Sequence, residues 1–96
     1  MITSKQRRFL RSMAHELDPV IFIGKAGITE NVIRETDQCL EARELVKVKV
    51  QEGCQWKAEE AADLLRSQVG AEFVQAIGRK FTLYRESKEK KQIILP

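Results

Sequence analysis

The chain has 96 residues, of which 43% are hydrophobic and 32% are charged, and its formal net charge is +3. This length provides one hydrophobic core and excludes two independent domains, and the composition excludes a disordered chain. No apolar run reaches the roughly 20 residues that cross a bilayer, so we expect no membrane partner. We expect residues 1–96 to form a single domain whose charged C-terminal tail begins at about residue 86.

The N-terminal residues and the two cysteines favour a reducing compartment. Lys5, Arg7 and Arg8 come at once, without an apolar segment before them, so no secretory signal is expected. Cys39 and Cys54 have no CxxC spacing and no histidine partner at metal-ligand spacing. This argues against a disulfide framework and against a zinc site. We therefore expect a cytoplasmic protein with no cofactor and no metal.

Positive charge is concentrated at the two ends of the chain. Residues 1–27 carry five basic and two acidic side chains, and residues 66–96 carry seven basic and three acidic ones. Residues 28–65 carry five basic and nine acidic side chains. If folding brings the basic ends together, one surface of the domain suits a polyanion while the opposite surface stays acidic.

The first predicted element is a helix. Thr3 or Ser4 can cap it, with Gln6 in the capping-box position behind Thr3, and the helix is expected to run to about Leu17. Its buried stripe is predicted to contain Phe9, Leu10, Met13 and Leu17. A basic arc lies opposite that stripe and holds Arg8, Arg11 and the surface residue His15, with Arg7 beside them. Such an arc is either a solvated face or a surface for RNA, and the helix alone leaves both open.

A glycine-bracketed turn follows the first predicted strand. The apolar run Val20–Ile23 predicts a strand inside a sheet, and Thr29 is a good N-cap for a second helix. Between them lies Gly24-Lys25-Ala26-Gly27, which we call the GKAG turn. One interpretation is a tight turn that needs glycine. The other is a phosphate cradle, like the GXXG clamp of KH domains. The spacings of Walker A and of dinucleotide-binding loops are absent.

The remaining elements alternate between helix and strand. The second helix carries an acidic outer face, and residues 45–50 alternate as a strand with one buried face. A third helix runs to about Val69, and Gly70 ends it. Residues 73–77 and 81–84 predict two strands that Gly78-Arg79 joins in a type II′ hairpin.

The element order α-β-α-β-α-β-β predicts an α+β two-layer sandwich with a four-stranded mixed sheet and the helices packed on one face. We expect the first three strands to be parallel neighbours and the last to be antiparallel. The GKAG turn and the turn at residues 78–80 then share one end of the sheet. An antiparallel first helix would bring its basic start to the same end. The aromatic side chains expected in the core are Phe22, Trp56, Phe73 and Phe81, and Tyr84 is kept as an exposed contact.

Four segments of the chain resemble a known family. They are residues 3–7 (TSKQR), 23–29 (IGKAGIT), 44–50 (ELVKVKV) and 77–85, which contains IGRK and LYR. Their order and spacing resemble the CRM domain (chloroplast RNA splicing and ribosome maturation), and in particular the stand-alone bacterial YhbY-type proteins. The resemblance implies an RNA-binding module similar in fold to the C-terminal domain of translation initiation factor three. It also implies association with precursors of the large ribosomal subunit, and contact of the GxxG loop with RNA.

The leading hypothesis is a non-enzymatic RNA-binding protein of ribosome assembly, with RNA as partner and no small-molecule substrate. Its expected RNA-contacting residues are Lys5, Arg7, Arg8, Arg11, Gly24, Lys25, Ala26, Gly27, Arg79, Lys80 and Arg85. The alternative is an adaptor that docks an acidic protein through the same basic surface. An enzyme acting on a phosphorylated substrate ranks last, because no nucleophile, base or metal cluster is visible. The oligomeric state is open, with a monomer as the default expectation.

Overall fold

The computed structural model describes residues 2–96, and its elements follow the predicted order. The helices are α1 (Ser4–Ala14), α2 (Glu30–Arg43) and α3 (Ala58–Val69). The strands are β1 (Ile21–Ile23), β2 (Leu45–Val50), β3 (Glu72–Ile77) and β4 (Lys80–Tyr84). The α+β class and the four-stranded mixed sheet are confirmed. So are the helix starts, because the Thr3 and Thr29 side chains accept the predicted backbone hydrogen bonds.

The strands lie in the order β1-β2-β4-β3, which differs from the predicted neighbours. β1 pairs with β2 in parallel, whereas β4 is antiparallel to both β2 and β3 and separates them. The reason is burial, because the side chains of β4 from Phe81 to Tyr84 are buried on both faces, as a central strand requires. β3 therefore runs in the same direction as β2 but takes an edge position.

The helices cover both faces of the sheet, so the expectation that all three share one face is wrong. α2 and α3 pack against a core that includes Val46 and Val48 of β2 and Phe81 of β4. α1 buries Leu10 in a second cluster with Leu45 and Tyr84, whose side chains point the opposite way. α1 also ends at Ala14, before Leu17, and Leu17 packs on this second cluster from the following segment.

β1 forms an edge of the sheet rather than an inner strand. Ile21 and Ile23 are buried against α2 and α3, while Phe22 points to the other face and is 48% exposed. The apolar run at residues 20–23 therefore contains an exposed aromatic ring and not two buried faces. The prediction of an inner strand is wrong for this reason.

The C-terminal segment is anchored by two carboxylates near the end of α2. Glu44 is fully buried, and its side chain accepts hydrogen bonds from the backbone N–H groups of Ser87, Gln92 and Ile93, each at 2.7 Å. Glu41 accepts from the Ser87 hydroxyl at 2.7 Å and from the N–H groups that follow it. Ile93 completes the cluster beneath α1. The predicted charged tail is thus partly folded onto the domain.

These contacts shift the pKa values of both carboxyl groups. Burial acts to raise the pKa of Glu44, but its three backbone donors outweigh that effect and hold the pKa below its ordinary value of 4.5. For Glu41, the Ser87 hydroxyl is the largest of the contacts that lower the pKa. Both groups are therefore held in the charged form, which is the form that accepts these hydrogen bonds.

Candidate nucleic-acid interface

The GKAG turn is a compact turn between β1 and α2. Its closing hydrogen bond runs from the Gly27 N–H to the Gly24 carbonyl at 3.0 Å. Gly27 has a φ of 74°, and a Cβ at this position would lie 3.0 Å from Nε1 of Trp56. Gly24 lies outside the left-handed region, and a Cβ there would be in ordinary contact, 3.5 Å from Oε1 of Gln51. Only Gly27 is therefore required by its backbone conformation.

The middle of the turn is open to solvent and positively charged. Lys25 and Ala26 are exposed, and neither of their N–H groups has a backbone acceptor within residues 2–96. The aliphatic part of the Lys25 side chain lies over Gly53, where its Cγ is 3.3 Å from the position that a Cβ would take. The Lys25 ammonium group makes no ion pair with any described residue. Two free amides beside an unpaired cation form an arrangement that binds anions.

The β3–β4 hairpin lies at the same end of the sheet as the GKAG turn. The N–H of Gln51 donates to the carbonyl of Ile23 at 2.9 Å, and that of Val50 donates to the carbonyl of Arg79 at 2.7 Å. These bonds connect the end of β1 to the hairpin through the end of β2. Arg79 and Lys80 are exposed and make no ion pair with the described residues. The predicted meeting of the two turns is confirmed.

The start of α1 lies at the opposite end of the sheet, so its predicted return to the GKAG turn is wrong. Nε of Arg7 donates to the carbonyl of Phe73 at 3.2 Å, near the first residue of β3. On the other face of the sheet the helix extends from β3 to β2, where the carbonyl of its last residue, Ala14, accepts a hydrogen bond from Nζ of Lys47 at 3.0 Å. Lys5 and Arg8 are exposed on its N-terminal half, away from the turn.

Two arginines of α1 nevertheless join the basic surface along the outer edge of β3. Arg7 and Arg11 line a groove with residues 73–77, and Glu59 of α3 faces them from the other side. Residue 77 leads directly into the hairpin that carries Arg79. We call the set of cations along this edge and end the basic rim, which consists of Arg7, Arg11, Arg79, Lys80 and Lys25.

Arg85 does not belong to this surface, which corrects the sequence-based expectation. Its guanidinium group contacts the Asp37 carboxylate at 2.6 Å, lies 3.9 Å from that of Glu41, and donates to the Val69 carbonyl at 2.8 Å. Its side chain is only 18% exposed. Arg85 follows β4 at the end of the sheet remote from the GKAG turn and connects α2 with the end of α3. Its role is therefore structural.

The exposed aromatic residues are not those expected from the sequence. Tyr84 is 5% exposed beneath α1, and burial, followed by the charges of Glu44 and Glu86, raises the pKa of its phenol. Phe22 and Trp56, which were assigned to the core, are 48% and 38% exposed. Trp56 stands beside Gly27 at the GKAG turn. The sequence signal for the exposure of Phe22 is the short predicted strand directly before a tight turn. Such a strand leaves one of its faces without a covering helix.

Two features of the described residues bear on metal binding and membrane insertion. Residues 2–96 contain no group of three or more side chains that could hold a metal ion. They also contain no helix that is both long and apolar enough to cross a membrane.

A family model described as the CRS1 / YhbY (CRM) domain matches residues 2–85. The chain belongs to this family. The match covers α1, the GKAG turn and the hairpin, so every segment of the basic rim lies inside the CRM domain.

Relatives of this CRM domain protein carry names that refer to RNA. A Bacillus subtilis protein named "Probable RNA-binding protein YqeI" is 47% identical over 96 residues, with both chains covered completely. A Haemophilus influenzae protein named "RNA-binding protein" is 37% identical over 90 residues, which cover 94% of this chain and 91% of the relative. The solution structure of a Staphylococcus aureus protein, proposed there to bind RNA, matches with a TM-score of 0.84 and 49% identity over the full length of both chains.

Proposed function

We propose that this CRM domain protein binds ribosomal RNA in precursors of the large ribosomal subunit, and that it acts in the cytoplasm as an assembly protein without catalytic activity. The observation that carries the proposal is the shared position of the GKAG turn and the β3–β4 hairpin at one end of the sheet. There the free amides and unpaired cations face solvent together. The names of the relatives support RNA as the partner.

The mechanism is capture of the RNA backbone. The amides of Lys25 and Ala26 bind one phosphate, and the Lys25 ammonium group adds charge beside it. Arg79 and Lys80 contact a second stretch of backbone, and Arg7 and Arg11 extend the track along β3. Arginine is suited to this role, because its planar guanidinium group matches two phosphate oxygens at once.

The acidic surface of α2 limits where RNA can lie. Glu30 and Glu35 are exposed along this helix, on the face of the sheet opposite to α1. Their charges repel a polyanion, so RNA is directed to the basic rim and does not surround the domain. The ribosomal part of the proposal rests on the resemblance to YhbY-type proteins, since the charges and amides account only for an RNA backbone.

The dependence of RNA affinity on salt tests the proposed mechanism. The probe is a large-subunit ribosomal RNA fragment transcribed in vitro, and the variants are Lys25→Gln and the matched Lys90→Gln. Lys90 is exposed on the C-terminal segment near Glu41 and lies outside the basic rim. Lys25→Gln should reduce the slope of log affinity against log salt by about 0.7–0.9, and Lys90→Gln should leave it unchanged.

Two results would contradict the proposal. A flat salt dependence of the wild-type protein would exclude backbone capture by the basic rim. Unchanged RNA binding by Lys25→Glu, together with loss of an acidic protein partner, would favour the adaptor function. Sedimentation of the protein with precursor particles, but not with mature large subunits, would support the ribosomal assignment.

A further inference from the structure

A row of exposed side chains crosses the sheet beside the GKAG turn. Phe22 of β1 is in register with Lys49 of β2, which is in register with Lys80 of β4 and, through it, with Ile77 of β3. Registered neighbours point to the same face, so these four side chains form one line across all four strands. α1 packs on this face at the other end, over Leu45 and Tyr84, and leaves the row open.

The row combines apolar surface with positive charge. Phe22 is 48% exposed and Ile77 is 61% exposed, and the two lysines between them are exposed as well. No carboxylate stands in the row. Two copies of this face could not pack together without bringing Lys49 and Lys80 against their own counterparts, which disfavours self-association. An aromatic face among cations is instead the arrangement with which proteins hold single-stranded nucleic acid.

A cleft adjoins the row on the side of α1. Its volume is about 390 Å³, and its lining includes His15, Gln75, Arg79, Lys80 and Thr82 but no acidic residue. The Thr82 hydroxyl is fully buried and has no hydrogen-bond partner among the described residues. An unpaired buried hydroxyl destabilises a protein, so a polar group that enters the cleft and pairs with the Thr82 hydroxyl would gain binding energy.

We propose that this open face holds unpaired nucleotides of a single RNA strand. Phe22 stacks on one base, and the Thr82 hydroxyl bonds a polar group of another nucleotide in the cleft. The inference rests on the proposed function and adds the class of RNA that the protein binds, which is single-stranded. Gly24 follows Phe22 by two residues of extended chain, about 7 Å. A strand whose phosphate is held at the GKAG turn therefore has a base within reach of the ring.

The geometry also separates single strands from duplexes. In a duplex the bases are stacked on one another, and no base face is free to cover Phe22. Backbone capture by the basic rim acts on both forms of RNA, whereas stacking on Phe22 acts on the single strand alone. The protein is thus expected to prefer a single strand over a duplex of the same sequence.

The test compares a short mixed-sequence oligoribonucleotide with the duplex formed from it and its complement. Phe22→Leu should lower the affinity for the single strand roughly tenfold and leave the affinity for the duplex unchanged. Phe22→Trp, which keeps an aromatic ring, should bind the single strand as the wild type does. Phe9→Leu is the matched control, because Phe9 is 38% exposed but lies on the flank of α1 opposite Arg7 and Arg11. It should change neither affinity.

Thr82→Val provides an independent arm with two readouts. The valine keeps the shape of the side chain and removes only the hydroxyl. Because that hydroxyl has no partner among residues 2–96, the melting temperature should stay the same or rise. The affinity for the single strand should fall by roughly threefold to tenfold. A fall in melting temperature with unchanged affinity would show that the hydroxyl serves the fold, and would overturn its assignment to RNA.

The outcomes distinguish this inference from the proposed function. If Phe22→Leu binds the single strand as the wild type does, while Lys25→Gln still weakens binding, the sheet-face site is overturned and backbone capture stands. Equal wild-type affinity for strand and duplex leads to the same conclusion. If Phe22→Leu changes sedimentation or the binding of another protein and leaves RNA affinity intact, the face is a protein contact and the inference fails. If neither RNA binds, both proposals fail.

Discussion

Gly27→Ala tests whether the GKAG turn depends on a left-handed backbone at its last residue. At a φ of 74°, a side chain with a Cβ costs about 1–2 kcal/mol relative to glycine. The new methyl group would also lie 3.0 Å from Nε1 of Trp56. Trp56 is partly exposed and can move by a few tenths of an ångström, so backbone strain dominates. We expect the free energy of unfolding to fall by about 1–2 kcal/mol, and the melting temperature by about 4–8 °C per kcal/mol.

Two other glycines serve as controls for this substitution. Gly70 has a φ of 66° with no neighbouring atom of the described chain within 4 Å of an added Cβ, and it lies at the end of the sheet remote from the turn. Gly70→Ala should therefore lower stability by about 1 kcal/mol and leave RNA affinity intact. Gly24 has neither a left-handed φ nor a close neighbour. Gly24→Ala should change stability by less than about 0.5 kcal/mol.

The chain provides its own probe for this comparison. Trp56 is the single tryptophan and stands at the turn, so its fluorescence follows urea unfolding and reports on the turn itself. RNA affinity is measured by the anisotropy of labelled RNA well below the melting temperature. Equal destabilisation by Gly24→Ala and Gly27→Ala would refute the conformational argument. Equal loss of RNA affinity in Gly27→Ala and Gly70→Ala would show that general destabilisation, not the turn, weakens binding.

Three further predictions concern the two ends of the sheet. Glu44→Gln should lower the free energy of unfolding by about 2 kcal/mol in chemical denaturation, because an amide group then faces the Ser87 N–H and a charge-assisted hydrogen bond is lost. Glu44 and Glu41 have depressed pKa values, so the stability that their charged forms contribute is present above pH 4.5 and is lost as the pH falls through the folded-state pKa values. The melting temperature should therefore fall less on acidification in Glu44→Gln than in the wild type. Arg79→Gln should reduce the salt slope of RNA binding by about 0.7 without lowering the melting temperature. Arg85→Gln should lower the melting temperature and leave the salt slope unchanged. A reduced salt slope in Arg85→Gln would contradict the position of Arg85 outside the basic rim. A dependence of melting temperature on pH that is the same in Glu44→Gln as in the wild type would contradict the role of the Glu44 carboxylate.

The sequence predicted the elements better than their arrangement. Capping residues such as Thr3 and Thr29 act locally, so the starts of α1 and α2 could be predicted from a few neighbouring residues. The position of β4 between β2 and β3 depends on how much of each strand is buried in the whole fold. The run Phe81–Tyr84, apolar enough to be covered on both faces, was the available signal for a central strand.

At the candidate site, too, some features followed from the sequence and others depended on the whole fold. The meeting of the GKAG turn with the hairpin followed from strand direction, which the predicted crossovers determined correctly. The position of α1 did not follow, because a short link after the helix is compatible with either face of the sheet. Arg85 resembled the other cations in sequence, but its ion pair with Asp37 spans 48 positions of the chain. Long-range pairs of this kind have no local signature.

The strand order has a consequence for folding during synthesis. The central strand is the last one in chain order, and both of its neighbours precede it. Until β4 leaves the ribosome, β2 and β3 have no common partner, and β3 stays separate from the β1–β2 pair. Folding during synthesis therefore has to wait for almost the entire chain, and the closing step joins segments that are distant in sequence.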